Sequence, residues 1–282
     1  MPAPSTPLSG INSLVVVGGT QIGAQTDATL NLPSESVQVT TKQGFGWQES
    51  LPGVTNWSLD TGNLLKDNAG GEPFLANDQE DRTYLSVGGT NVPKLTSVGA
   101  TLTQDLERVS THSDGLAQSL YLGQRNVQIE AEGLYLDPAA SESQIQALLD
   151  ARNNADRLDL VFGIDTLQIS GSFSLDDFSI EGAAEASPIS FSATFSSSGP
   201  STKGGTDLDS SVMAAINAFF DQTLATAGFE LHNESGAIVD STKYEGEGYF
   251  SEVSFTADTE SPAELSATLD GDGAISTATV TA

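Results

Sequence analysis

The sequence predicts a mainly β fold of the α+β class, made of two related modules with one flanking helix each. Three observations carry this. Short segments with period-two apolar alternation recur along the chain. Only two stretches carry a helical apolar stripe. One ending is written twice, as SPISFSATFSSSGP at 187–200 and as SPAELSATLDGDGAI at 261–275.

The elements follow in chain order. VVVGGTQIG at 15–23 reads as strand–turn–strand. A dinucleotide site would need a helix directly after the glycines, so that its N-terminus meets the pyrophosphate. Here AQTDATLNL follows and alternates like a strand, and the glycine spacing is not GxGxxG. SVQVT, NWSLD, NVQIE, LDLVF and TLQISGSFSL are further strands. ISFSATF puts Ile189, Phe191, Ala193 and Phe195 on one face, the pattern of a half-buried antiparallel strand. The first helical stripe is Ile145, Leu148 and Leu149, with Ser141 and Gln144 spaced as a capping box. The second is Val212, Ile216, Phe219 and Phe220, with Gly228 placed as its C′ stop. One amphipathic helix per sheet gives a small α+β module.

The doubled ending belongs to a longer repeat. GSFSLDDFSI (171–180) matches GYFSEVSFTA (248–257), setting Phe173 on Phe250 and Phe178 on Phe255. IQALLDARNNADRLDL (145–160) matches INAFFDQTLATAGFEL (216–231) at an offset of 71. In the first half, ATL at 28–30 returns at 100–102, and LPGVTNWSLDTGNLL (51–65) resembles YLGQRNVQIEAEGLYL (121–136). The order is first half, first half, second half, second half. It predicts a module at 95–200 inserted into an outer module made of 1–94 and 201–282. A strand-exchanged pair is the alternative. KDNAGGEPFLANDQED (66–81) and SSSGPSTKGGTD (196–207) read as the connections.

Charge is the second strong signal. The chain holds 38 Asp+Glu against 10 Lys+Arg, a formal net charge of −28 over 282 residues. Such a surface repels itself, and molar salt cuts the Debye length to about 3 Å and screens the repulsion. Acids scattered singly with few lysines suggest a halophilic protein. The same surface repels DNA and cannot bind it by counterion release.

Catalytic and metal chemistry find little support. The absence of cysteine excludes disulfides, thiolate metal sites and a Cys nucleophile. His112 and His232 are the only histidines, and neither lies in an HxxxH pattern. Asp270 and Asp272 in LDGDGA are weak metal candidates, but the twelve-residue EF-hand pattern is missing and an acidic turn is the favoured reading. Paired-carboxylate chemistry needs one raised pKa and a cleft, and abundance of acids shows neither. NWS (56–58) and NES (233–235) are formal glycosylation sequons, of which only Asn233 lies outside an expected strand. The reading is not an enzyme and needs no cofactor. The dense apolar run SLVVV is far short of the roughly 20 residues a span needs, and no basic n-region of a signal peptide stands before it.

Residues 95–200 resemble the major tail tube proteins of long-tailed (siphovirus-type) phages and archaeal viruses. The likeness runs through GQRNVQIEAEGLYLD, SQIQALLDA, RLDLVFG and GSFSLDDFSIEGAAEASPISFSATFSSSG. Residues 36–65, with GWQESLPGVTNWSLDTGNLL, look like the front half of that family, and 213–275 like its back half. The resemblance implies tail-tube-like β-sandwich or barrel modules. It further implies stacked rings of six modules that hold the tape-measure protein, meet tail terminator and baseplate proteins, and pass double-stranded DNA in the virion tail. Its subunits are made in the host cytoplasm. Two modules per chain then imply a ring of three chains with pseudo-sixfold symmetry. It also implies that 40–53 and 110–123 reach toward the next ring. The contact candidates there are Phe45, Trp47 and Leu51, and Leu116, Leu120 and Tyr121. For Trp47, packing within its own core is the alternative. Two other functions fit an acidic β-rich chain: an extracellular adhesin or surface-layer module, and the tube of a contractile injection or secretion system.

Overall fold

The computed structural model describes residues 13–22, 24–40, 48–65, 83–109, 118–135, 148–150, 153–154, 156–182, 188–205, 210–232, 238–259 and 261–279. The fold is mainly β and antiparallel. The first half holds β1 (Ser13–Val17), β2 (Thr20–Gln21), β3 (Ala24–Asn31), β4 (Ser34–Thr40), β5 (Gln48–Thr55) and β6 (Ser58–Leu64). Next come β7 (Thr83–Val87), β8 (Thr90–Asn91), β9 (Leu95–Val109) and β10 (Ser119–Tyr135). The second half holds β11 (Leu158–Ile164), β12 (Leu167–Glu181), β13 (Ile189–Ser197) and β14 (Thr202–Gly204). The helix Ser210–Asp221 follows, then β15 (Ala225–His232), β16 (Ile238–Asp258) and β17 (Glu264–Thr279).

The repeat is visible in backbone geometry. Gly18 and Gly19 turn β1 into β2 at φ 58 and 83°, and Gly88 and Gly89 turn β7 into β8 at 57 and 83°. Both central residues at positive φ make a type I′ hairpin, which glycine enters without steric cost. SLVVVGGTQI and TYLSVGGTNV are therefore one hairpin written twice, 70 residues apart. Thr26 is the extra residue of a bulge in the β3–β6 pair, and Thr96, 70 residues on, is that of the β9–β10 pair. Asp176 and Ser251 are likewise the extra residues of β12 and β16, at an offset of 75.

These registers correct several sequence alignments. The strands equate Leu175 with Phe250 and Phe178 with Val253, two residues from the expected pairing. ATL at 28–30 meets 98–100, not 100–102. Leu160, opposite Val87, answers to Ala227, opposite Val17, which moves that strand by four. Every slip is an even number, so alternation keeps the same face inward and cannot expose the error.

β1 pairs with β15 and β6 with β17, β7 pairs with β11 and β10 with β13, and β16 pairs with β9 across the two strand sets. β7 and β8 fall in the segment expected to be outer, yet they pair with inner β11 and with each other. One sheet run carries the order β3-β6-β17-β16-β9-β10-β13-β12. The remaining parts of β16 and β12 continue into β15-β1-β2 and β11-β7-β8. β1 then packs against β3, and β7 against β9.

The corresponding long strands differ at two prolines. β9 and β10 are continuous where Thr103 and Leu122 stand. Their counterparts are Pro33, in the gap between β3 and β4, and Pro52, within β5 opposite Ser36; β4 and β5 form a separate two-stranded sheet. Proline has no N–H to give to a ladder and bends the strand away.

Buried side chains form one contiguous core that includes Val15, Trp57, Leu102, Phe162, Phe195 and Phe255. From the second helical stripe, Val212, Ile216 and Phe219 are buried. Of the first, Leu148 is buried, while Ile145 and the Ser141–Gln144 capping box lie outside the described residues. Gly228 is not the helix stop. The helix ends at Asp221, and Gln222 takes the left-handed conformation at φ 53°. Thr223 N–H donates to Ala218 O and Gln222 N–H to Phe219 O, the two bonds of a Schellman motif. Gly228 sits instead in β15, opposite Val16.

Candidate functional site

β16 carries a junction between the two strand sets. Its C-terminal stretch pairs with β9 from Glu252↔Thr103 to Asp258↔Ser97. There Phe255 faces Ala100 and Val253 faces Leu102, and all four are at most 1% exposed. Burial of such side chains stabilises by about 1.5–3 kcal/mol for each large one.

β3 and the C-terminal stretch of β12 stand at the two ends of the eight-strand run. Among the described residues, β3 pairs only with β6. β12 pairs with β11 from Leu167 to Phe173, and from Phe173 to Glu181 it pairs with β13. The equivalences above make β3 the counterpart of β9, and the end of β12 the counterpart of the end of β16. Where Phe255 is buried, Ile180 is 45% exposed, and where Leu102 is buried, Leu32 is 51% exposed. Leu30 and Phe178, beside them, are half-buried. A long edge with uncovered apolar side chains is a template for another strand.

The face of this run opposite the core is polar. It carries Asp27, Asp60, Glu252, Asp258, Glu264 and Asp270 from one strand set, and Glu130, Glu132, Asp177 and Glu181 from the other. Between them stand serines and threonines. Ser254 bonds Ser266 at 2.7 Å and Ser179 bonds Ser192 at 2.8 Å. Asp60 accepts from Asn31 Nδ2 at 2.7 Å and from Thr268 Oγ1 at 2.9 Å. Among the described residues, no lysine or arginine stands on this face between the paired stretches 27–31, 58–62, 97–103, 126–132, 177–181, 190–196, 252–258 and 264–270. Arg108 reaches Asp270 from the far end of β9.

Asp270 and Asp272 lie within strand β17 and not in a turn. Asp270 is ion-paired with Arg108, and Asp272 Oδ1 accepts from Leu120 N–H at 2.7 Å. Among the described residues, no group of three or more His, Asp or Glu side chains could hold a metal ion. Leu120 is buried and Tyr121 exposed. Leu51 is in β5 opposite Val37, its side chain outside those described. Phe45, Trp47 and Leu116 lie outside the described residues, as do His112 and Asn233. His232 Nε2 stands 3.1 Å from Glu230 Oε2. Asn56 is half-buried just before β6.

No family model and no curated protein matches the chain. Solved structures do show similarity. A chain of the virion of a native gene transfer agent particle is 12% identical, covering 71% of this chain and 100% of that one, with a TM-score of 0.26. A chain of the anti-feeding prophage baseplate is 8% identical over 45% of this chain and 93% of that one, with a TM-score of 0.35. A chain of the sheath-tube complex of an extracellular contractile injection system is 9% identical over 72% and 95%, with a TM-score of 0.20.

The paired edges and the acidic face were only partly foreseeable. The net charge announced an acidic surface, but not that one sheet face would gather acids and hydroxyls, with Arg108 reaching Asp270 from its end. The exposure of Leu32, just past β3, and of Ile180, within β12, is not legible from local alternation. The signal available was their equivalence to Leu102 and Phe255, and the two-residue alignment slips hid it.

Proposed function

We propose that the protein is the subunit of a viral tail tube, in which three chains form a ring and rings stack. The observation that carries this reading is a sheet face that gathers ten carboxylates and, among the described residues, no lysine or arginine within its paired stretches. Each chain contributes two nested modules, a reading supported by the pairing of β7 with β11, which would start the inner module near Thr83. Three eight-stranded runs closed at the usual strand spacing and tilt enclose a backbone ring about 50 Å across. That leaves room for a nucleic-acid duplex. The face then lines the channel, where carboxylates repel phosphates and hydroxyls offer only weak, exchangeable bonds, so double-stranded DNA slides without sticking. The tape-measure protein fills the channel before ejection, and tail terminator and baseplate proteins close its ends. The excess of acids suits a virus of a halophilic archaeon, whose subunits fold in molar salt in the host cytoplasm before joining the virion.

The test is electron microscopy of the purified protein in molar salt. Tubes of stacked rings with three chains per ring are expected. Rings averaging to six whole chains would overturn the three-chain ring, and a protein that stays monomeric at high concentration would overturn the tube.

A further inference from the structure

We infer that the β7–β8 hairpin carries an open receptor for a carboxamide side chain, which a glutamine or asparagine on an extended segment of a partner polypeptide fills. The inference stands on the single chain and does not need the tube. The β1–β2 hairpin, its copy at an offset of 70, shows the occupied form. There Val15 N–H donates to Gln25 Oε1 at 2.9 Å, and Gln25 Nε2 donates back to Val15 O. The carboxamide thus offers β1 the donor and the acceptor that a neighbouring strand would offer.

The β7–β8 hairpin has the same edge and lacks the amide. Gly18 N–H donates to Thr226 O, and Gly88 N–H to Asp159 O. Counting from these bonds, Val15 opposite Phe229 and Leu85 opposite Phe162 are pairs that exchange no hydrogen bonds, so their N–H and C=O groups point away from β15 and β11. Val92 N–H donates to Leu85 O at 2.7 Å, but the β7–β8 ladder stops at Ser86↔Asn91. Leu85 N–H has no partner among the described residues. Leu85 is buried, and a buried donor without an acceptor is costly. The counterpart of Gln25 is Leu95, opposite Gly133 as Gln25 is opposite Asn63, and its side chain neither donates nor accepts. A cavity of about 630 Å³ opens beside it, lined by Tyr84, Val92, Pro93, Leu95, Thr96 and Ala257. That volume is in the range of ligand sites and leaves room for the chain that carries the amide. The ligand is an amide because the site asks for an acceptor at Leu85 N–H and a donor at Leu85 O. A carbonyl oxygen can accept twice, as Val15 O does from Ile22 N–H and from Gln25. A carboxylate supplies only the acceptor, and the net charge of −28 disfavours adding one.

The probe is acetyl-Ala-Gln-Thr-N-methylamide, which copies residues 24–26, with a Glu version as its control. Nuclear magnetic resonance of the natural chain in molar KCl follows the Leu85 amide. The Gln peptide should shift that signal in a saturable way. The Glu peptide should bind about tenfold more weakly, the value of one hydrogen bond. Leu95→Gln supplies the amide from within, as Gln25 does. It should raise the melting temperature and remove the response of Leu85 to the peptide. Equal binding of the two peptides, or a response that survives in Leu95→Gln, overturns the inference. So does a Leu85 amide that ignores the peptide, whether it exchanges with cavity water or is already protected by another part of the chain. Should Leu95→Gln misfold, the comparison of the two peptides on the natural chain decides.

Discussion

Arg125 Nη1 donates to the carbonyl oxygen of Phe220 at 2.8 Å and lies 3.4 Å from that of Phe219. It ties β10 of the inner strand set to the end of the helix that precedes the outer β15. The last carbonyls of a helix have no partner within it, and a cation there also meets the negative end of the macrodipole. The counterpart of Arg125 at an offset of 70 is Thr55, which cannot supply this contact. Arg125→Met should lower stability by about 1 kcal/mol, read as a shift of the denaturation midpoint with unchanged slope. Arg125→Lys should recover part of the loss. An unchanged midpoint in Arg125→Met would show that the contact contributes nothing.

The two hairpin turns make a sharper case, since the residues are known and the strain is local. Gly19 and Gly89 both stand at φ 83°. An L-residue there crowds its own carbonyl, so Gly19→Ala and Gly89→Ala should each cost about 1–2 kcal/mol. Asn in place of Ala should cost less, because its side chain tolerates the left-handed region. The double variant should show the sum, as the turns lie in separate hairpins. Thermal unfolding of these five variants checks this, and equal stability of the Ala and Asn forms would contradict it.

Much of the fold was legible because alternation and turn chemistry are local. The buried face of β13 was readable from Phe191, Ala193 and Phe195, although Ile189, past the end of the buried stretch, is 42% exposed. The helix was readable from Val212, Ile216 and Phe219, but its stop was not. Gln222 adopts the conformation that glycine usually takes, so Gly228 attracted the assignment. The repeat was readable in outline and misaligned in detail. VVVGGTQI reads locally as strand–turn–strand, and its second copy, LSVGGTNV, fixes the offset at 70. Which strands would lie at an edge depends on long-range pairing, and no local pattern carries that.

Equivalent positions should answer differently to the same substitution. Phe255→Ala opens a cavity in the core and should destabilise the monomer by about 3–5 kcal/mol. Ile180→Ala removes a half-exposed side chain at the counterpart position and should change monomer stability by less than about 0.5 kcal/mol. Its effect should appear instead in assembly, as a higher protein concentration needed for rings. Sedimentation and unfolding measured on both variants separate the cases. A large stability loss in Ile180→Ala would mean that the edge is packed within the monomer.

Ionic strength should move stability in one direction. With a net charge of −28, repulsion acts over a Debye length of about 10 Å in about 0.1 M salt and about 3 Å in 1 M. The melting temperature should therefore rise steadily with KCl, and assembly should need the salt more than folding does, because joining chains brings more carboxylates together. A melting temperature independent of salt over that range would leave the acids without the proposed halophilic role.

Tyr249 gives a test at the alkaline end. Burial raises its pKa above the usual tyrosine range, and the negative charges of Asp272 and then Glu247 raise it further. The folded state thus holds the phenol proton more tightly than the unfolded chain does. This contribution to stability is fully present below about pH 10, the unfolded value, and is lost as pH rises through the folded value. Tyr249→Phe cannot ionise, so its stability should decline less steeply with pH above about 10 than that of the natural chain. Asp272→Asn should lower the Tyr249 pKa by removing one of the two charges, although it also weakens the bond from Leu120 N–H. Ultraviolet titration of the folded protein reads the tyrosinate directly. A Tyr249 titration at the ordinary tyrosine value, unmoved by Asp272→Asn, would remove the electrostatic coupling between β16 and β17.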